Sequence, residues 1–244
     1  DIAVVEGRLA SADAVEGPPS KVIDLSGLVL APGFVDMHVH LRDPGQTEKE
    51  DFETGTAAAA AGGFTTVVAM PNTTPPVDCP EAFRMAAERA ECLARVRVLQ
   101  TAALSVGLSG QTLTDAEALR QAGAVALTDD GTTIQSGALM SRALLAAAAA
   151  QIAVLDHCED AELSGAGVIH DGRIAAQLGI AGKPAASEDV MIARNAVLAR
   201  ETGCPVHMQH VSTAGGVEIL KMARRIGWPV TCEVTPHHFC LTEE

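Results

Sequence analysis

The chain has 244 residues, 48% of them hydrophobic, and a formal net charge of -14. That is enough apolar material for a large buried core, and the acidic balance argues against general binding to nucleic acid or to anionic membranes, while local positive charge in a cleft could still meet an anionic substrate. Tyrosine is absent and aromatics make up only 2% of the chain, so a stacking platform for nucleic-acid bases is not expected.

No run approaches the ~20 apolar residues that span a bilayer. The opening "DIAVVEGRLA" shows no basic stretch followed by an apolar one, as a secretory signal would. A cytoplasmic setting is the expectation. The cysteines, Cys79, Cys92, Cys158, Cys204, Cys232 and Cys240, are dispersed and form no C-x-x-C, which predicts reduced, unpaired thiols.

In chain order, residues 1–31 alternate short apolar runs with Gly and Pro. They are expected to form a few strands, part of a small β-sandwich domain. Residues 32–244 then repeat one pattern. Strand-like runs occur at "FVDMHVH" (34–40), "TTVVAM" (65–70), "RVRVLQTAAL" (95–104), "AVALTDD" (124–130), "QIAVLDHCED" (151–160), "CPVHMQHVS" (204–212) and "WPVTCEVTPHH" (228–238). Most are near-continuously apolar, as strands buried on both faces should be. Between them lie helical stretches, several ending in Gly, and one opening with Pro80, which suits a first helical turn.

Strand alternating with helix every ~30 residues predicts βα units around a parallel sheet. No Gly-rich phosphate loop follows the first strand, which disfavours a Rossmann sheet. The expected fold is a (β/α)8 TIM barrel of the metal-dependent hydrolase type. Seven barrel strands can be counted and an eighth is missing, so the barrel is expected to be incomplete at its C-terminus. The longer interval holding "LSGAGVIHDGRIAAQLGIAGKPAA" (163–186) is expected to be an extended loop over one barrel face.

The chemistry concentrates at the strand ends. In "FVDMHVHLRDPG" (34–45), His38, His40 and Arg42 fall on alternate residues. Along a strand such residues face the same way, with Cα atoms roughly 6.5–7 Å apart, so two imidazoles can converge on one ion. "TDDG" ends the fourth strand with Asp129 and Asp130, "LDHCED" the fifth with His157, and "VHMQHVS" the sixth with His210. The C-terminal ends of barrel strands open into the active site. Burying that many imidazoles and carboxylates unpaired is costly, and a divalent cation is the simplest compensation. The mixture favours zinc, with manganese, cobalt or iron also compatible. Asp36 shares the face of His38 and His40; orienting a ligand and making only local hydrogen bonds both remain open for it. His207, three residues before His210, is expected to face away. His170, His237 and His238 carry weaker signals.

"PGFVDMHVHLRDPG", "VAMPNTTPPVD", "TDDG", "DHCED", "HVST" and "EVTPHH", in that order, resemble the dihydroorotases of the amidohydrolase superfamily, most nearly the bacterial class with an aspartate bridging the metals. The resemblance covers essentially the whole chain. It implies two zinc ions per subunit: His38 and His40 on one, His157 and His210 on the other, and Asp130 between them, with Asp129 the neighbouring choice. Arg42 and Asn72 match that family's contacts to the substrate carboxylate. The implied reaction is reversible hydrolysis of dihydroorotate to N-carbamoyl-L-aspartate in pyrimidine biosynthesis. The family's general acid/base is an aspartate ending the eighth strand, which is expected to lie beyond Glu244; the 244 residues by themselves are therefore expected to turn over poorly. Implied partners are the small-molecule substrate, a second copy of the chain, or an aspartate transcarbamoylase; neither nucleic acid nor a membrane is expected.

Three other readings stay open: another cyclic amidohydrolase, an inactive scaffold, and a plain metal-free binding barrel. Hydantoinases, dihydropyrimidinases and allantoinases commonly bridge their metals with a carboxylated lysine on the fourth strand. The lysines here, Lys21, Lys49, Lys183 and Lys221, do not fall there, which disfavours that reading. A catalytically inactive dihydroorotase-like scaffold for aspartate transcarbamoylase need not keep its ligands, whereas the matching histidines and aspartate are present.

Overall fold

The computed structural model describes residues 1–242 and comprises two compact units, Asp1–Pro32 and Gly33 onward. In the first, β1 (Ile2–Val5) pairs antiparallel with β2 (Arg8–Ser11). The two residues between them, Glu6 and Gly7, both have positive φ, the conformation that matches a tight turn to the twist of its strands. No further strand forms between residues 12 and 32. Of the few strands expected there, this hairpin supplies two.

The second unit runs β3 (Phe34–Val39), α1 (Phe52–Ala61), β4 (Phe64–Ala69), α2 (Pro80–Leu93), β5 (Arg97–Gln100), α3 (Ala116–Ala122), β6 (Ala126–Leu127), α4 (Gly137–Ala149) and β7 (Ala153–Asp156). It continues through α5 (Ala161–Ser164), β8 (Ile169–His170), α6 (Arg173–Leu178), β9 (Gly182–Lys183), α7 (Ala186–Thr202), β10 (Val206–Met208), α8 (Ala214–Arg225), β11 (Val230–Cys232) and α9 (Pro236–Cys240).

Seven strands pair in parallel in sequence order, as β3-β4-β5 and β6-β7-β10-β11. A parallel bridge from Ala102 to Leu127 links the two groups, with Val125 N donating to Gln100 O at 3.2 Å. Each of the seven strands expected from the sequence is present, with the helices between them. The unit is a (β/α)-barrel fragment.

Two segments differ from expectation. Residues 163–186 are not a bare loop: β8 and β9 pair in parallel, Ile169 opposite Gly182, across α6. The stretch 228–238 is not one strand. It stops after Cys232, and a helix begins at Pro236, where the Thr235 side chain and the third helical residue, His238, cap each other.

The core lies between the sheet and the helices. Leu127, Val154 and Met208 from the strands meet Leu144 and Ala147 of α4, Ile192 and Ala196 of α7, and Ala223 of α8, all fully buried. Each large aliphatic side chain contributes about 2 kcal/mol by leaving water, and the alanines let helix backbones approach the sheet closely.

Two loops at the strand ends are tied together. Thr74 N donates to Pro44 O at 3.0 Å. Gly45 has φ +88°, and a Cβ there would lie 1.9 Å from Thr74 O, so only glycine fits. Buried Asp43 accepts from both Nε and Nη2 of Arg89, at 2.8 and 2.6 Å. These contacts set the loops that carry Arg42 and Asn72. Among the described residues, no helix is long and apolar enough to cross a membrane.

None of the cysteines is in a disulfide. Burial pushes the Cys204 thiol up to about 11 and the Cys158 thiol well above its ordinary value. At pH 8 both are therefore neutral and unreactive. Mass mapping after thiol alkylation at that pH should find Cys158 and Cys204 unmodified in the folded protein and modified once it is denatured; labelling of either in the folded state would contradict this packing.

Candidate metal centre

The parallel strands deliver five polar side chains to one place. His38 lies in β3 and His40 just after it, and strand alternation turns both rings to the same side. Their Nε2 atoms are 3.3 Å apart. Asp130 follows β6, and its carboxylate sits below both rings: Oδ1 is 3.3 Å from His38 Nε2 and Oδ2 is 3.3 Å from His40 Nε2. His210, after β10, has φ +36° and brings its Nε2 to 3.9 Å from Asp130 Oδ1. His157, directly after β7, sets its Nδ1 3.0 Å from His210 Nε2.

The hydrogen positions follow from the neighbours. Glu233 Oε1 lies 2.6 Å from His38 Nδ1. A carboxylate only accepts, so this Nδ1 carries a hydrogen. Asn72 Nδ2 donates to the Asp130 carbonyl at 3.2 Å and to its Oδ2 at 3.1 Å. That fixes the amide, leaves Asn72 Oδ1 facing His40 Nδ1 at 3.0 Å, and makes that Nδ1 a donor too. Both neutral rings then aim Nε2 lone pairs at each other and at a carboxylate. Such a cluster needs a cation in its midst, either a proton or a metal.

The spacing suits a metal. Ligand atoms held tetrahedrally at the usual zinc distances lie roughly 3.3 Å from one another. The ligand atoms of His38, Asp130 and His210 all fall within 4.8 Å of each other. The donor set, imidazoles with a carboxylate, is that of zinc and its neighbours.

Charge follows this geometry. Burial alone would raise the Asp130 carboxyl, but the His210, His38 and His40 imidazoles beside it hold it well below the usual carboxylate range. Burial alone would lower His38, yet its bonds to Asp130 and Glu233 bring it up to about 9. Glu233, also opposed by burial, is held down to about 2 by His207 and His38. His40 and His157 are pushed down, chiefly by burial.

The remaining expected residues sort clearly. The two carboxylates of "TDDG" part: Asp130 meets the histidines, while Asp129 turns away and accepts from the backbone N–H groups of Leu104 and Ser105, both at 2.9 Å, and from the Ser105 hydroxyl. Asp36 accepts from His38 N at 3.0 Å, a local bond. Asn72 has both ends of its amide engaged with His40 and Asp130. Arg42, at φ +57°, is half-buried near His40, and among the described residues no hydrogen bond or ion pair engages its guanidinium. His207 faces Thr231 of β11, its Nδ1 2.8 Å from the hydroxyl, away from His210 as expected. His170, His237 and His238 line the wall of an adjoining cavity of about 410 Å³, together with His157, His210 and Lys183.

Sequence reasoning missed Glu233 and Glu159. Glu233 sits inside "EVTPHH" just past the end of a strand, the position that marked the other site residues. Glu159 pairs with Lys183 at 2.6 Å and lies 3.5 Å from His157 Nε2; the long excursion from which Lys183 comes hid the pairing.

The two aspartates should respond differently to amidation. Asp130→Asn should abolish tight uptake of divalent metal, read by elemental analysis, with the fold retained. Asp129→Asn should keep the metal and lower stability by about 1–3 kcal/mol in denaturant unfolding, because an amide cannot accept all three donors. The reverse pattern would mean that the carboxylates are wrongly assigned.

A sequence profile of the family described as dihydro-orotase-like matches residues 27–215. The dihydroorotase of Geobacillus thermodenitrificans (strain NG80-2) is 50% identical over 223 residues, 91% of this chain and 52% of its own length. That of Aquifex aeolicus (strain VF5) is 42% identical over 244 residues, 100% of this chain and 58% of its own. The chain thus spans a little over half the length of these relatives. Among solved structures, the L-hydantoinase (dihydropyrimidinase) of Arthrobacter aurescens superposes with a TM-score of 0.82 at 27% identity, covering 99% of this chain and 55% of that one. The D-hydantoinase (dihydropyrimidinase) of a Thermus species has a TM-score of 0.70, also at 27% identity, covering 98% of this chain and 55% of that one. The family match and the bacterial relatives agree: this chain belongs to the dihydro-orotase-like family.

Proposed function

We propose that the protein carrying this chain is a dihydroorotase, hydrolysing the cyclic amide of dihydroorotate reversibly to N-carbamoyl-L-aspartate. The observation that supports it most is the pair of Nε2 atoms, on His38 and His40, facing each other and one carboxylate. His38 and His40 would hold one zinc ion and His157 and His210 a second, with Asp130 shared between them. Bound there, the cations would bring the pKa of a water down towards 7 and polarise the amide carbonyl.

The protein's own groups do the rest. Arg42 offers a planar fork suited to the substrate carboxylate, and would hold the ring so that its scissile amide faces Asp130. Asn72 stands beside that fork, and its first duty is to His40 and Asp130. The adjoining cavity is of a size that takes a small molecule. A general acid/base must also carry a proton to the leaving nitrogen. A cytoplasmic setting suits the unpaired thiols, and association with a second copy or with an aspartate transcarbamoylase belongs to the same reading.

Metal content and turnover test this together. The zinc-loaded protein should hydrolyse dihydroorotate in preference to hydantoin and allantoin, and His38→Ala should lose both activity and one equivalent of zinc. Faster turnover of hydantoin or allantoin would make it a different cyclic amidohydrolase. Full activity and full zinc in His38→Ala would show that the centre lies elsewhere.

A further inference from the structure

Glu233 has no part in the function proposed above, yet it makes one of the shortest contacts at the site. It stands one residue past β11, and its side chain is mostly buried, 19% exposed. Its Oε1 is 2.6 Å from His38 Nδ1. Its Oε2 is 3.4 Å from His207 Nε2, within ion-pair range though without hydrogen-bond geometry. The other nitrogen of His207 meets Thr231 Oγ1 at 2.8 Å. With His207 Nε2 carrying its hydrogen towards the carboxylate, Nδ1 accepts from the Thr231 hydroxyl. His38, Glu233, His207 and Thr231, on or just past three strands, thus form a chain of contacts.

Gln209 also approaches the same nitrogen, its Nε2 3.3 Å from His38 Nδ1. Both groups are donors there, so Gln209 cannot hold the ring. Asp36 touches only the backbone of His38. Glu233 alone, among the described residues, accepts the Nδ1 hydrogen.

We propose that Glu233 is a positioning residue: it holds His38 by Nδ1, keeps its Nε2 turned to Asp130, and strengthens that nitrogen as a metal donor, with His207 and Thr231 steadying the carboxylate. This rests on the metal reading of the site. A carboxylate on the far nitrogen of a ligand imidazole fixes the tautomer and raises the ring's basicity, and removing it costs roughly 10–100-fold in metal affinity. Glu233 touches no reacting atom. Among the described residues, no hydrogen bond or ion pair joins the Glu233 side chain to His157 or His210, so its direct influence falls on His38.

The test is zinc affinity by competition with a chromophoric chelator, for the unaltered protein and for Glu233→Gln. The amide can still accept the Nδ1 hydrogen, but without charge. One zinc equivalent should weaken by about 10–100-fold while the other stays as it was, and the visible spectrum of the cobalt-substituted protein should change for the weakened equivalent alone. His207→Gln should give a smaller change of the same kind. Affinity unchanged at both equivalents in Glu233→Gln would overturn the proposal, and so would an equal loss at both, since that marks a general structural defect. An unaltered protein that binds no zinc would defeat the metal reading itself, a distinguishable result. Should Glu233→Gln fail to fold, nitrogen-15 NMR of the unaltered, zinc-free protein decides: His38 must carry its hydrogen on Nδ1, and a hydrogen on Nε2 alone refutes the inference.

Discussion

The site depends on the repulsion among acceptors that face one another. His38 and His40 point nitrogens at each other across 3.3 Å, with the Asp130 oxygens 3.3 Å from each. Their other nitrogens are committed as donors, to Glu233 and to Asn72. In the neutral state no hydrogen lies between the acceptors, and the burial of Asp130 limits the water that would otherwise screen them. A cation relieves this arrangement, so the fold presents a place for one before any metal arrives.

The barrel makes that convergence possible. Parallel strands end on the same side, so residues far apart in sequence come together without long loops. The alanine-rich inner faces of the helices let them seat closely on the sheet and hold the strand ends in register. The loops after β3 and β4 are then locked by the contact of Gly45 with Thr74 and by the Asp43–Arg89 pair. Precision at the centre is therefore a property of the whole unit, expressed through a few loop residues.

Much of this was legible in the sequence. Near-continuous apolar runs alternating with helical stretches marked all seven barrel strands, because a strand buried on both faces has no polar side to interrupt it. Histidines at the ends of those runs pointed to the candidate centre. Other features were not legible. Asp129 and Asp130 differ by one position, and only the backbone donors of Leu104 and Ser105 show which carboxylate turns away. β8 and β9 have two residues each, too short for any periodicity, and pair across a Gly-rich stretch that reads as loop. Glu233 meets His38 across 195 positions of sequence, and a single carboxylate past a strand does not reveal which imidazole it will hold. Asn72 showed as an amide near the mouth of the barrel, but its role in fixing the His40 tautomer needed the position of the Asp130 carbonyl.

The central claim is that these imidazoles and one carboxylate surround metal. Its most direct test is a crystal structure of the zinc-loaded protein with anomalous scattering measured on both sides of the zinc edge. The account predicts a peak between His38, His40 and Asp130 and a second between Asp130, His157 and His210. Crystals soaked in zinc that show no peak at Asp130, with each histidine turned to a separate protein partner, would contradict it.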